Sequence, residues 1–279
     1  MNKIFLMLLM LAMVLTSCSD NEDTTPSMAD ANVFAPAASD NSATAQLQRD
    51  FYSTTGVYLL FSDTLTAVNE GKPELLDLGW TLSGSYGSVF SYEFINDIDA
   101  QRQAADAVKK HVLERLGSAK PFSILLANSI TYISYGKLKN QTMVLGNRCY
   151  AFNLEGGSAL DDPDTFFSNL FTSMVQSILE KYSTELQPFY DISSEYYGEY
   201  IDDFGLEDPT EEELWEYGFF EYDDWWESFY FKNTDFKQWV KKVTTMTRSE
   251  FETTYGSSAT MMNKYEAIVG VIEKIGIKL

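Results

Sequence analysis

The side chains able to do chemistry in this 279-residue chain are unevenly supplied: 41 Asp and Glu stand against 20 Lys and Arg, with one histidine, His111, and two cysteines, Cys18 and Cys149. Zinc needs three or four nitrogen, sulfur or carboxylate donors, and one imidazole cannot build a two-histidine set. His111 follows Lys109 and Lys110 near a helix end, where the dipole favours an imidazolium; the position reads as a surface or half-buried one. Cys149 lies in an apolar strand without a histidine partner and is expected to be a small buried hydrophobe. Ser173 and Ser177 have no base nearby in sequence, so they read as small residues and not as nucleophiles. The net charge of −21 and pI near 4.3 repel a phosphate backbone, which excludes nucleic acid as a partner.

Much of the negative charge is concentrated in residues 189–231, where 43 residues hold 16 aromatics and 15 carboxylates with no Lys or Arg. Rings beside carboxylates suit a sugar-binding surface, and Tyr196, Tyr197, Trp215, Trp225 and Trp226 are the candidate ligand contacts. The competing and weightier reading makes the rings core and the acids their solvated reverse faces. Glu195, Glu199, Asp202 and Asp203 offer oxygen ligands for calcium, but their spacing lacks the D-x-D-x-D-G loop.

The elements that must position these residues begin after an address. Lys3 and the twelve apolar residues from Ile4 to Leu15 form a signal-peptide core, too short for the ~30 Å hydrocarbon layer. Leu15-Thr16-Ser17-Cys18 resembles a bacterial lipobox, so residues 1–17 are expected to be removed and Cys18 lipidated. The acidic run Asp20 to Asp23 resembles a signal for the outer face of the outer membrane. Residues 18–45, poor in large apolar side chains, are expected to be a flexible tether, with one folded domain over 46–279.

Within that domain, Gln46–Tyr52 reads as a helix end. Val57–Ser62, Val89–Phe94, Phe122–Ala127 and parts of Thr142–Leu154 read as strands, and 99–116 as an amphipathic helix closed by Gly117. Pro163 opens the strongest helix, with apolar pairs from Phe166-Phe167 to Ile178-Leu179 repeating every four residues. Thr210–Trp215, Asp223–Phe231 and Thr260–Ile275 are further helix candidates. Strands giving way to helices indicate an α+β class, an N-terminal mixed sheet with a long central helix and a helical C-terminal half.

The order of short motifs adds a resemblance. Phe51-Tyr52, the strand to Phe61, Pro121 to Leu126, the long helix, Gly218-Phe219-Phe220, Asp223-Asp224-Trp225-Trp226-Glu227 and Asn263-Lys264-Tyr265 together resemble the substrate-import-associated zinc metallohydrolase lipoproteins, from about residue 47 onward. The resemblance implies a zincin-like metallopeptidase domain, with H-E-x-x-H on the long helix and a downstream acid. Here Ser173 and Ser177 stand at the histidine positions, Met174 at the general base, and Glu227 is the acid that remains. Hydroxyls bind zinc poorly and a thioether cannot take a proton, so neither zinc nor hydrolysis is expected. The implied role is a non-catalytic accessory or binding component of a TonB-linked nutrient-import system at the cell surface, with its transporter and surface lipoprotein as partners. The alternative is a hydrolase with a carboxylate-rich metal site.

Overall fold

Ser42 turns the chain into its first helix: its hydroxyl accepts the N–H of Ala45, and helix α1 (Ala43–Thr55) stops at Gly56, where φ is +73°. The computed structural model containing this helix describes residues 32–66, 73–76, 78 and 90–279. The leader 1–17, Cys18 and the acidic run at 20–23 lie outside the described residues.

The tether boundary expected at residue 45 moves towards the N-terminus. Phe34 is only 4% exposed and meets the Phe122 ring edge-on at 5.0 Å, while Val33 O accepts the Thr66 N–H. Phe34 fastens this polar stretch to the sheet face it shares with Leu65, Leu76 and Leu78, a contact that average composition hides.

The strands are β1 (Tyr58–Leu60), β2 (Phe90–Phe94), β3 (Ser123–Ser134), β4 (Lys137–Asn140), β5 (Met143–Leu145) and β6 (Tyr150–Asn153). The first part of β3 is central, with β1 and β6 parallel to it on either side; β5 runs antiparallel to β6 at the edge. Further along, β3 pairs antiparallel with β2 and β4, the latter through a two-residue turn whose Tyr135 and Gly136 both take positive φ. Ile124 and Leu126 point into the helix-covered core, whereas Leu125 and Ala127 point to the face shared with Phe34, Leu60 and Cys149. Cover on both faces is why this strand reads as an unbroken apolar run.

Helix α2 (Ile98–Val108) starts at the Asp97 cap and continues through a π-helical turn, Lys109–Leu113, and a last turn, Glu114–Leu116. Helix α3 (Pro163–Leu179) has Asp162 as N-cap and proline in its first turn, and it buries Phe167, Leu170, Phe171, Met174, Val175, Ile178 and Leu179. After α4 (Gln187–Asp191) and α5 (Glu211–Trp215), the expected helix at 223–231 is instead a hairpin of β7 (Tyr222–Asp223) and β8 (Ser228–Phe229). Asp223 Oδ1 accepts the N–H groups of both Trp225 and Trp226, which holds a turn where a helix would need those donors elsewhere. Helices α6 (Lys232–Thr245), α7 (Arg248–Tyr255) and α8 (Ala259–Lys274) complete the chain. No described helix is long and apolar enough to cross a membrane.

A buried ion pair joins the helical half. Lys264 Nζ of α8 lies 2.7 Å from Asp235 Oδ2 of α6, 2.8 Å from Ser193 Oγ and 2.9 Å from Gly218 O, and neither charged side chain touches solvent. Three acceptors match the three protons of an ammonium. The rings of Phe189, Phe219, Tyr197 and Trp239 surround it, with centroids from 4.8 to 5.6 Å from Nζ. Tyr197 donates to the same Oδ2, while Oδ1 has no donor among the described residues. Burial pushes the Asp235 carboxyl above, and the Lys264 ammonium below, its ordinary range, against their mutual attraction.

The end of the chain is clasped to the end of the α2 region. Ser118 N–H donates to Gly276 O at 3.2 Å and Lys278 N–H to Arg115 O at 2.7 Å. Gly117 and Gly276 have φ of +53° and +83°, and a Cβ on Gly117 would collide with the Gly276 carbonyl oxygen.

Candidate functional site

The apolar rows of α3 face the core, so its exposed row faces outward, and Ser173 and Ser177 sit on that row one turn apart. Ser173 Oγ donates to Asn169 O at 3.0 Å within the helix. Both serines line an open groove of about 520 Å³, with Lys181 beyond them and Thr142, Met143 and Leu145 of the β5 region opposite. Thr142 O accepts from Asn153 N–H and Gly146 N–H donates to Cys149 O, so alternate residues bond to β6. Met143 and Leu145 therefore turn their backbone polar groups to the outer edge, where no described strand pairs. Gln141 Nε2 covers Met143 O at 2.7 Å; no described strand pairs with Met143 N–H or the polar groups of Leu145.

The structure separates the four positions of the expected degenerate site. Met174 is fully buried among the core residues of α3 and does not face the groove. Glu227 lies at the tip of the β7–β8 hairpin, with φ +48°, and lines a different cavity. Two neutral hydroxyls are then the only expected ligand positions in the groove, a donor set that does not fit zinc. Glutamate at position 174 would put a carboxylate in the core and not beside a metal-bound water.

The second cavity, about 640 Å³, lies between residues 201–208 and the hairpin and is lined by Asp202, Glu207, Asp208, Asp224, Glu227 and Tyr222 among others. Beneath it a small separate core of Ile201, Leu214, Phe219 and Phe229 takes up Tyr196 and Tyr197. Tyr196 meets Phe204 and Tyr217 edge-on, and Tyr197 is tied to Asp235, so both candidate contacts are structural. Trp215 is also corrected: it is 7% exposed and packs against Tyr255 at 5.0 Å. Trp225 and Trp226 stay candidates, at 84% and 62% exposed. Desolvation and then the field of Asp224, helped by Asp208 and Glu227, raise the pKa of the Tyr222 hydroxyl.

Among the described residues no three His, Cys, Asp or Glu side chains come together to hold a metal, so Glu195, Glu199, Asp202 and Asp203 do not form the considered calcium site. Burial pushes the Cys149 thiol up to about 12, which removes it as a nucleophile at neutral pH. His111 Nε2 lies 2.6 Å from Asp164 Oδ1, beside Lys110 on the same carboxylate, a link between α2 and the start of α3. The sequence reading missed the free edge of β5 and the Lys264–Asp235 pair. A short Met-Val-Leu run ending at Gly146 signals the first; the second shows only as one lysine on an otherwise apolar helix face. Searches against protein-family models, curated proteins and solved structures find no match to the chain.

Proposed function

We propose that the protein is a cell-surface lipoprotein of metallopeptidase ancestry that binds an extended peptide segment in the groove between β5 and α3 without cleaving it, as an accessory of a nutrient-import system. The observation that carries this reading is the unpaired edge strand β5, whose Met143 and Leu145 line the same groove as Ser173 and Ser177. An incoming strand can take hydrogen bonds from Met143 and Leu145, while the helix beneath supplies hydroxyls in place of metal ligands. The lipobox at Cys18 and the acidic run behind it support the location. Metal analysis and peptide hydrolysis by the purified full chain test the reading together. We expect no stoichiometric zinc and no cleavage; one zinc per chain, removed by a chelator along with peptidase activity, would defeat it.

Two further outcomes are expected. The double variant Ser173→His/Ser177→His places imidazoles at i and i+4 on one exposed face and should bind zinc weakly, with two protein ligands only. Adding Glu227→Gln should leave that affinity unchanged in calorimetric titration, because Glu227 lines the other cavity; a tenfold or larger loss would mean that Glu227 reaches the groove. Cys18→Ala should move the protein from the membrane fraction to the soluble fraction. A variant that still pellets after a salt wash would argue against acyl anchoring.

A further inference from the structure

A second surface lies away from the groove and shares no lining residue with it. Residues 198–201 run antiparallel to the hairpin: Gly198 N–H donates to Phe229 O, Phe229 N–H to Glu199 O, and Ile201 N–H to Glu227 O. This small sheet exposes four large rings, Tyr200, Trp225, Trp226 and Phe231. The two tryptophans stack on no other ring among the described residues, and Asp223 fixes the turn that presents them. Leaving two indoles in water is costly, and solvent-exposed tryptophan pairs are typical of contact surfaces.

Charge selects the occupant. Asp224 and Glu227 bracket the tryptophans in sequence and line the cleft with Asp202, Glu207 and Asp208, and no Lys or Arg occurs from residue 182 to 231 to neutralise them. A single metal ion does not suit them, because no three of these carboxylates converge. A neutral sugar could stack on the rings but would leave the negative charge that lines the cleft without a partner. Several cations carried on one flexible chain match carboxylates that are spread along a cleft and do not converge on one point, and ammonium and guanidinium groups also bind indole faces.

We propose that the Trp225–Trp226 hairpin and the acidic cleft beside it form a docking surface for a Lys- and Arg-rich peptide segment of a partner protein. The basic side chains pair with Asp202, Glu207, Asp208, Asp224 and Glu227, and the indoles cover their stems and cationic heads. This surface is independent of the groove reading and can stand or fall without it.

The test uses the purified full chain and a fluorescein-labelled deca-arginine peptide, followed by anisotropy at low and at physiological salt. We expect binding that weakens with salt. Trp225→Ala/Trp226→Ala should lower affinity by about tenfold or more, with unchanged circular dichroism and melting temperature because both rings are exposed. Asp208→Asn/Glu227→Gln should lower affinity and flatten the salt dependence. Binding unaffected by both double variants would reveal general attraction to an acidic protein and overturn the proposal. So would no binding at low salt, or tryptophan-dependent binding of a neutral cello-oligosaccharide with none of the peptide.

Discussion

Asp235→Ala is expected to destabilise the protein by about 3–5 kcal/mol, the range for removing one partner of a fully buried ion pair. The loss comes from what is left behind. Lys264 Nζ would keep Ser193 Oγ and Gly218 O and the surrounding rings, but its charge would have no counterion within the core. Tyr197 would also lose its acceptor. The double change Asp235→Leu/Lys264→Met removes both charges and should recover at least half of that loss, since apolar replacement of a buried pair is often near neutral. Urea unfolding at pH 7, followed by circular dichroism for wild type, both single variants and the double, gives the coupling directly. A cost under about 1 kcal/mol for Asp235→Ala would mean that the two groups are not held as an ion pair.

Gly117→Ala is expected to cost about 3 kcal/mol, at the top of the range for a side chain forced into a sparsely populated backbone conformation, here φ +53° with ψ −116°. The strain is not relieved by movement, because the added Cβ meets the Gly276 carbonyl and that oxygen is the acceptor for Ser118 N–H. The clasp that seats Ile277 in the core would open with it. Gly56 supplies the control: its φ is +73°, yet nothing lies within 4 Å of a Cβ built there. Gly56→Ala, in the ordinary left-handed region with ψ of 9°, should therefore cost only about 1 kcal/mol, and thermal melts of the two variants side by side would show how much the collision and the rarer backbone conformation of Gly117 add together.

Where one physical signal controlled an element, the sequence carried it. The fourfold repeat of apolar pairs on α3 and the apolar run at the start of β3 each reflect a single burial requirement; α3 lies where the pattern puts it, while β3 begins there but runs on to Ser134, past the expected end at Ala127. The α+β class with a mixed N-terminal sheet and helical C-terminal half followed from that order. Residues 223–231 failed because Asp223 acts through a side-chain hydrogen bond to the backbone, which a periodicity count does not register. Helix α6 was missed because Asp235 interrupts its buried row, and only the distant Lys264 makes a buried carboxylate acceptable there. The candidate site was half legible. Ser173 and Ser177 share a groove as helical spacing requires, whereas Glu227 was grouped with them by order along the chain, which does not specify distance in space.

Asp235 is made twenty-nine residues earlier than its partner Lys264. A chain emerging from a ribosome or passing head-first through a translocation pore exposes α6 before α8 exists outside. Until then the carboxylate has no cation, the ring cage has no centre, and closing the helical half would bury an unpaired charge. Order of synthesis thus bears on order of closure: the half built around Asp235 can close without burying an unpaired charge only once α8 is present. A nascent chain stalled at residue 255 should accordingly be digested by protease after residue 187, where the released full chain resists.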